Sequence, residues 1–280
     1  MRYLLPSADV ETTPRNSKKK GVPSTAKGKT KTFPSAAEAV ADLENRLGPR
    51  SAWWIYHDAE EHPVGVIVRW DKAGGKDIRP VAKIGAGWVH VGMPTPRPLY
   101  RLPELLRSTG PVYVVEGEKA AEALHDIGFT VTISAHGAKS AKGTDWTPVA
   151  GRDVVILPDN DDAGASYAEA AIDLLSKLTQ QPSIKIVNLP GLPAGGDAVD
   201  FIAERKGAAM NDAAIRAEIQ KLVADVEVVQ HEGPEPDTSA YQPFPVDVLP
   251  EPSLERGPHQ VQGWQGMLAW DNGCKDRSAY

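Results

Sequence analysis

Hydrophobic and polar positions along the chain follow two patterns, and the change falls near residue 110. Between residues 52 and 91, short runs of aromatic and β-branched residues are separated by turn sequences such as Ala73-Gly-Gly75. Runs of this kind predict an antiparallel meander. The predicted strands cover residues 52–56, 64–70, 78–84 and 88–91. Pro80 lies inside the third run and cannot donate a backbone hydrogen bond, so we predict that this run is an edge strand.

A helix is predicted before the meander, over residues 36–47. Its apolar residues recur at the spacing of one helix face, and Ser35 is a favourable N-cap residue. After the meander, four prolines between residues 94 and 103 indicate a connector. The helix, the meander and the connector together predict a small α+β domain over residues 34–108.

From residue 111 onward, buried strands alternate with amphipathic helices. The predicted strands are residues 112–115, 129–133, 154–157 and 184–187, and the predicted helices are residues 118–127, 162–178 and 209–229. This alternation predicts an α/β domain over residues 109–230, with a four-stranded parallel sheet flanked by helices. Because crossovers between parallel strands are right-handed, we expect the carboxyl ends of all four strands to lie at one edge.

The two ends of the chain have a composition that is typical of unfolded segments. Residues 1–33 contain many lysines and few apolar residues, which predicts a disordered basic arm. This arm is either a solvated linker or a segment that contacts nucleic-acid phosphates. Residues 231–260 contain seven prolines, and the stretch after them has no clear periodicity. We predict that residues 231–280 form a Pro-rich linker and a poorly ordered tail.

Composition limits the class of protein. The 280 residues carry 31 basic and 37 acidic side chains, which argues against a protein whose whole surface coats nucleic acid but allows a local basic patch. The single cysteine, Cys274, excludes a disulfide framework and a cysteine-based zinc site. No apolar run approaches the 18 or so residues of a membrane span. We therefore expect a cytoplasmic protein without a membrane partner.

Acidic residues follow three of the predicted parallel strands. Glu116 comes after the first strand, Asp159 and Asp161 come after the third, and Asp197 and Asp200 come after the fourth. Ligand sites in open α/β sheets form outside the carboxyl ends of the strands. Carboxylates gathered there repel one another unless a cation lies between them. Their hard oxygen ligands suit Mg²⁺ or Mn²⁺.

These stretches resemble a known domain. Val114-Val-Glu-Gly-Glu-Lys119, Leu157-Pro-Asp-Asn-Asp-Asp-Ala-Gly164 and Gly196-Asp-Ala-Val-Asp200 resemble the toprim domain, which is shared by bacterial-type primases, type IA and II topoisomerases and some nucleases. The resemblance covers about residues 110–206. It is strongest to the primase and primase-helicase proteins of phages and plasmids, and it implies a toprim-like fold.

The resemblance also implies roles for individual residues. Glu116 would be a metal-binding residue that acts as a general base or orients the attacking hydroxyl, and Asp159 and Asp161 would bind Mg²⁺. Asp197 and Asp200 would hold a second metal. Three lysines would meet phosphates or nucleic acid, namely Lys119, Lys139 and Lys142.

The function that the resemblance implies is Mg²⁺-dependent nucleotidyl transfer. Such an enzyme makes RNA primers from nucleoside triphosphates on single-stranded DNA beside a replicative helicase. Bacterial-type primases carry an acid four residues after the glutamate, where this chain has Ala120, and they carry a zinc-binding module, for which it has no cysteines. Two alternatives therefore stay open. One is a metal-dependent nuclease, and the other is a non-catalytic, nucleic-acid-binding fragment of a primase-helicase.

Aromatic and basic residues of the meander have two interpretations. Its four tryptophans either stack on bases or form the small core, and the core interpretation is favoured. Arg69, Arg79 and Lys83 would give the sheet one basic face. In the α/β part, His136 is interpreted as a structural loop residue, and Tyr167 is predicted to lie on the inner face of its helix.

Overall fold

The computed structural model describes residues 31–135 and 138–229, without the side chains of residues 138–140. His136, the predicted arm up to residue 30 and the predicted tail from residue 231 lie outside the described residues. The described residues all belong to one compact unit. Phe33, which we predicted to be part of the arm, is buried, and its backbone pairs with that of Trp88. The fold therefore begins before the predicted boundary.

The predicted meander is confirmed as a four-stranded antiparallel sheet in the order β1-β2-β3-β4. The strands are β1 (Ala52–His57), β2 (Pro63–Lys72), β3 (Gly75–Ile84) and β4 (Gly87–Val89). The prediction that the third strand is an edge strand is right only around Pro80. β3 pairs with β2 from Gly75 to Ala82, but with β4 only from Ala82 to Ile84. Pro80 lies beyond the end of β4, where a missing backbone donor costs no ladder hydrogen bond.

One face of this sheet is covered by helix α1 (Ala36–Leu47). The helix begins where it was predicted, because the Ser35 hydroxyl accepts a hydrogen bond from the Glu38 backbone N–H over 3.2 Å. Its apolar stripe packs on inward-facing residues of the sheet. The buried members of this cluster include Ala39, Val40, Leu43, Val66, Val68, Trp70, Val81 and Trp88. The other face of the sheet is left to pack on the rest of the chain.

The second sheet has four parallel strands in the order β6-β5-β7-β8, as predicted. The strands are β5 (Val112–Val114), β6 (Val131–Thr132), β7 (Asp153–Ile156) and β8 (Ser183–Ile186). Their side chains are mostly buried because helices cover both faces. The predicted α/β fold class, with a separate small antiparallel sheet, is confirmed.

The helices depart from the prediction in three places. The described helices after the meander are α2 (Leu102–Arg107), α3 (Glu118–Asp126), α4 (Asp162–Leu175), α5 (Ala198–Gly207) and α6 (Asp212–Asp225), with short 3₁₀ helices at Ala138–Gly143 and Thr147–Val149. The predicted connector contains α2. The helix predicted over 209–229 is present but shorter, since Ala209 has a φ of 61° and Asn211 is the N-cap residue of α6. Helix α5, which was not predicted, begins directly after Asp197.

The two sheets share one hydrophobic core. Trp54, Tyr56 and Ile67 on the second face of the antiparallel sheet pack in the same cluster as Tyr113 of β5 and Leu124 of α3. This packing places the antiparallel sheet next to the first turn of α3. The predicted boundary near residue 108 thus falls between two sheets that are joined by a common core.

A polar network accompanies this shared core. The Tyr56 hydroxyl donates to the Glu118 carboxylate over 2.9 Å, and the Tyr100 hydroxyl donates to Glu122 over 2.8 Å. The Arg101 side chain, only 5% exposed, forms ion pairs of 2.6 Å with both Glu104 and Glu122. Buried charges persist when they are paired in this way. The network therefore fixes how α2 and α3 meet the antiparallel sheet.

Among helices in the described part of the chain, none has the length and apolar character needed to cross a membrane.

Candidate active site

Glu116 and Asp159 meet at the carboxyl edge of the parallel sheet. They follow β5 and β7, which are neighbours in register, with Val114 beside Ile156. The Leu157 N–H continues this ladder to the Val114 carbonyl over 2.9 Å. Just beyond it, the Glu116 carboxylate accepts the Asp159 backbone N–H over 3.2 Å. The structure thus brings together the two acidic positions that lie 43 residues apart in the chain.

Asp161 begins helix α4. Its Oδ1 accepts the Gly164 backbone N–H over 2.8 Å, so the side chain is the N-cap of the helix. The turn between the strand and the helix is tight enough to require glycine at 164. A Cβ at this position would lie 2.1 Å from the Asp159 carbonyl oxygen. The Asp159-Asn-Asp161 turn is therefore shaped by helix α4 after it as well as by strand β7 before it.

Asp197 begins helix α5 in a similar way. Its Oδ1 accepts the backbone N–H groups of Val199 and Asp200 over 2.7 and 3.3 Å. In return, Asp200 Oδ2 accepts the Asp197 N–H over 3.0 Å, which completes a capping box. Of the two predicted ligands in this segment, Asp200 is thus engaged at the end of its own helix, while Asp197 also lines the cleft beside Glu116.

Burial and neighbouring carboxylates raise the pKa values of Asp159 and Glu116. Burial raises the pKa of Asp159 to about 7, and the charges of Glu116, Asp197 and Asp161 add to this effect. Burial also raises the pKa of Glu116, against the lowering effect of the hydrogen bond from Asp159 N–H. Lys76 lowers both pKa values. These two shifts indicate that the acidic side chains lie within electrostatic range of each other, where a cation would relieve their repulsion.

A cleft of about 440 Å³ separates this acidic edge from the antiparallel sheet. Glu116, Asp159 and Asp197 line one wall, together with Glu118 and Lys119 at the start of α3. The opposite wall is the second face of β1 to β3. Its apolar residues are Trp54, Ile67, Ile78 and Pro80, and its basic residues are Arg69 and Lys76. The site therefore has an acidic wall that faces a mixed apolar and basic wall.

Lys76 and Glu118 are cleft residues that sequence reasoning missed. Lys76 shares the cleft face of β3 with Ile78 and Pro80, since alternate residues of a strand point to the same side. That period-two spacing was the available signal for Lys76. Glu118 of α3 accepts a hydrogen bond from the Tyr56 hydroxyl of the antiparallel sheet. No local sequence pattern predicts a contact between residues that lie 62 positions apart.

The predicted basic face of the antiparallel sheet is wrong. Arg69 pairs in register with Ile78, so the two share a face, whereas Arg79 alternates to the opposite side. There Arg79 forms an ion pair with Asp77 over 2.9 Å. Lys83 has the same parity as Arg79 and lies on that side as well. Arg69 and Lys76 are the basic residues that the sheet directs toward the cleft.

The three predicted phosphate-binding lysines have different positions. Lys119 is exposed and lines the cleft. Lys142 is exposed on a 3₁₀ helix whose segment packs against α4, away from the described residues that line the cleft. The side chain of Lys139 lies outside the described residues. Of the two whose side chains are described, Lys119 therefore lies near the acidic edge and Lys142 does not.

The aromatic residues agree with the core interpretation. Trp70 and Trp88 are only 3% and 1% exposed and lie beneath α1. Trp54 is also buried, with one edge in the cleft. Tyr167 is buried as predicted, and its hydroxyl lies 3.3 Å from the Ser134 hydroxyl. Burial raises the pKa of Tyr167 to about 12, which does not suit a nucleophile.

The acidic side chains fit a sparsely coordinated cation. Among the described residues, no three His, Cys, Asp or Glu side chains are grouped closely enough to hold one metal ion by themselves. The five predicted ligands thus do not form one preformed cluster. Mg²⁺ commonly takes only one or two carboxylates and fills its other positions with water and substrate phosphates. Glu116 and Asp159 supply such a pair on the acidic wall of the cleft.

No protein-family profile and no curated protein matches this sequence. Solved structures do match it. Its structural neighbours are primases. The DnaG catalytic core is 17% identical with a TM-score of 0.41, over 63% of this chain and 53% of that chain. The zinc-binding and RNA polymerase domains of Aquifex aeolicus primase are 20% identical with a TM-score of 0.43, over 71% and 51%.

The primase fragment of the bacteriophage T7 primase-helicase protein is 19% identical with a TM-score of 0.43, over 72% of this chain and 82% of that chain. This chain spans about half the length of the first two primases, 53% and 51%.

Proposed function

We propose that the cleft is a Mg²⁺-dependent nucleotidyl-transfer site of the toprim type, which makes RNA primers from nucleoside triphosphates on single-stranded DNA. The observation that carries the proposal is the meeting of Glu116 and Asp159 at the carboxyl edge of the sheet, opposite Arg69 and Lys76. An acidic wall suits a cation, and a basic wall suits phosphates. Primer synthesis requires a cation and nucleotide phosphates at the same site.

In this proposal Glu116 acts on the attacking hydroxyl. Its raised pKa brings its proton affinity closer to that of a general base working near neutral pH. Asp159 would help to hold Mg²⁺ or Mn²⁺, which would supply neutralisation of the charge that develops on the reacting phosphate. Asp161 and Asp197 keep the surrounding potential negative while they cap α4 and α5.

The opposite wall binds the nucleotide or the template. Lys76 and Arg69 attract phosphates, and Lys119 extends the positive charge along the start of α3. Ile78 and Pro80 provide an apolar surface on which a base can stack, with Ile78 43% exposed. This assignment makes single-stranded DNA and nucleoside triphosphates the partners of the site. A replicative helicase as a further partner, and a phage or plasmid replication system as the context, rest on the motif resemblance alone.

The test is a primer-synthesis assay with the full chain. Labelled nucleoside triphosphates, single-stranded DNA and Mg²⁺ or Mn²⁺ are incubated with the wild type, with Glu116→Gln and with Asp159→Asn. We expect labelled oligonucleotides from the wild type and at least a 100-fold loss in both variants, the order of effect for an essential acid–base group. Lys177→Ala is the matched control, since Lys177 pairs with Asp173 within α4 and its following turn, over 2.7 Å.

Other outcomes select the alternatives. Shortened template without labelled product, lost in Asp159→Asn, would replace the proposal by a metal-dependent nuclease. Retained DNA binding with neither product would indicate a non-catalytic nucleic-acid-binding fragment.

A further inference from the structure

Asn160 separates the two acids of the Asp159-Asn-Asp161 turn, and its side chain points away from them into a neighbouring loop. The Asn160 side-chain amide donates one hydrogen bond to the Leu192 carbonyl over 3.0 Å and another to the Pro193 carbonyl over 2.9 Å. The middle residue of an Asp-x-Asp turn has no required chemistry of its own. Here it is engaged with a segment that lies more than 30 residues away in the chain.

The Asn160 backbone joins the same loop. Its N–H donates to the Gly196 carbonyl over 2.8 Å, and its carbonyl accepts the Gly195 N–H, also over 2.8 Å. With the side-chain bonds, four hydrogen bonds connect this one residue to the segment 192–196. The segment runs from β8 to α5, and Asp197 follows it directly.

The loop itself is tightly turned. The Gly196 N–H donates to the Pro193 carbonyl over 2.9 Å, and Gly195 has a φ of 72°. A Cβ on Gly196 would lie 2.8 Å from Pro193 Cδ. Because the backbone of this turn has little conformational freedom, the hydrogen bonds at Leu192 and Pro193 also restrain the position of Asp197.

We propose that Asn160 is a positioning residue that fixes Asp197 beside Asp159 and thereby sets the affinity of the site for a divalent cation. The effect on the cation rests on the proposed function, whereas the fixing of the loop does not. An asparagine suits this task because its NH₂ group has two donors, and two successive carbonyls accept them. Aspartate has the same size but cannot donate. Substitution of a residue that orients a metal ligand typically lowers the affinity for the metal by about 10- to 100-fold.

The experiment compares Asn160→Ala and Asn160→Asp with the wild type in the full chain. Hydrogen–deuterium exchange without metal follows the amides of residues 195–197, and electron paramagnetic resonance of free Mn²⁺ gives the dissociation constant. We expect faster exchange in both variants, and in Asn160→Ala about 10-fold weaker Mn²⁺ binding. Thermal unfolding verifies that each variant is folded.

Asn45→Ala is the matched control. Asn45 is an exposed amide on α1, which covers the face of the antiparallel sheet that lies opposite the cleft. It should leave both measurements unchanged. Faster exchange in Asn160→Ala but not in Asn160→Asp would mean that the side-chain volume, and not its donors, holds the loop, and would overturn the inference.

The outcomes also separate this inference from the proposed function. If the wild type binds Mn²⁺ and Asn160→Ala binds it equally well, the inference is overturned while the metal site stands. If the wild type binds no Mn²⁺ at millimolar concentration, the proposed function loses its metal site. The exchange measurement then still decides whether Asn160 fixes Asp197, and unchanged exchange in both variants overturns that too.

Discussion

The backbone N–H of Asp159 donates a hydrogen bond to the carboxylate of Glu116 over 3.2 Å. The donor belongs to the main chain, so the Glu116 side chain is oriented by the path of the β7 turn and not by the Asp159 side chain. Replacing Asp159 by asparagine therefore changes the charge of the site without removing this hydrogen bond. The two acids can be probed separately although they lie side by side.

The first prediction concerns stability and pH. The pKa of Asp159 is about 7 in the folded protein, against an ordinary value near 3.8. The folded state thus binds this proton more tightly than the unfolded state, and stability should fall as the pH rises from about 4 to 7. Asp159→Asn should remove much of this fall and stabilise the metal-free protein at pH 7.5 by about 1 kcal/mol, after allowance for solvent screening.

Thermal unfolding of both proteins from pH 4 to 8 in chelator measures this difference. Added Mg²⁺ should raise the melting temperature of the wild type at pH 7.5 more than that of Asp159→Asn. Parallel pH curves for the two proteins would mean that Asp159 titrates as an ordinary surface carboxyl group.

The second prediction concerns Lys76. This residue lines the cleft and lowers the pKa of both Glu116 and Asp159. If it meets a phosphate, Lys76→Ala should weaken binding of single-stranded DNA and reduce the slope of log K against log salt by about 0.7. Fluorescence anisotropy over a range of salt concentrations gives this slope.

Lys72→Ala is the control for Lys76. Lys72 lies in the same hairpin, where it pairs with Asp77 over 2.9 Å, outside the described residues that line the cleft. An equal loss of slope in the two variants would point to general attraction by the hairpin instead of a phosphate contact at Lys76.

The third prediction concerns Gly164. A Cβ at this position would lie 2.1 Å from the Asp159 carbonyl oxygen, and the three nearest atoms all belong to the Asp159 backbone, which cannot yield cheaply. Gly164→Ala should therefore destabilise the protein by about 3 kcal/mol. Gly117→Ala is the control, because nothing lies within 4 Å of a Cβ there and its φ of −129° suits alanine. Its cost should stay within about 1 kcal/mol, the value of a weaker N-cap. Urea unfolding of both variants measures the difference, and equal costs would contradict the close contact.

The strands of both sheets were predictable from the sequence pattern. The antiparallel meander and the four parallel strands were predictable because each is a short apolar run between turn residues. Helix α5 was missed for a chemical reason. Asp197 and Asp200 were interpreted as ligands, although an acid at both ends of a three-residue interval is also a capping box, which is what they form. Sequence alone does not distinguish these two uses of a carboxylate.

The acidic wall of the cleft was predictable, and the opposite wall was not. Glu116, Asp159 and Asp197 follow parallel strands, so chain topology brings them to one edge. Lys76 comes to the site only through the packing of one sheet on the other, which depends on core residues such as Trp54 and Tyr113. The period-two spacing of β3 indicates which face of the strand Lys76 lies on, but its approach to the acidic edge depends on the tertiary structure.

The capping roles of Asp161 and Asp197 have an evolutionary consequence. Each of these side chains holds the first turn of a helix, so selection for a stable fold would retain it even in a descendant without the proposed activity. Among the hydrogen bonds of the described residues, the Asp159 side chain has no such capping role, and its half-buried charge destabilises the metal-free fold. In a lineage without the proposed activity, Asp159 would therefore be replaced first, while the two capping aspartates would persist.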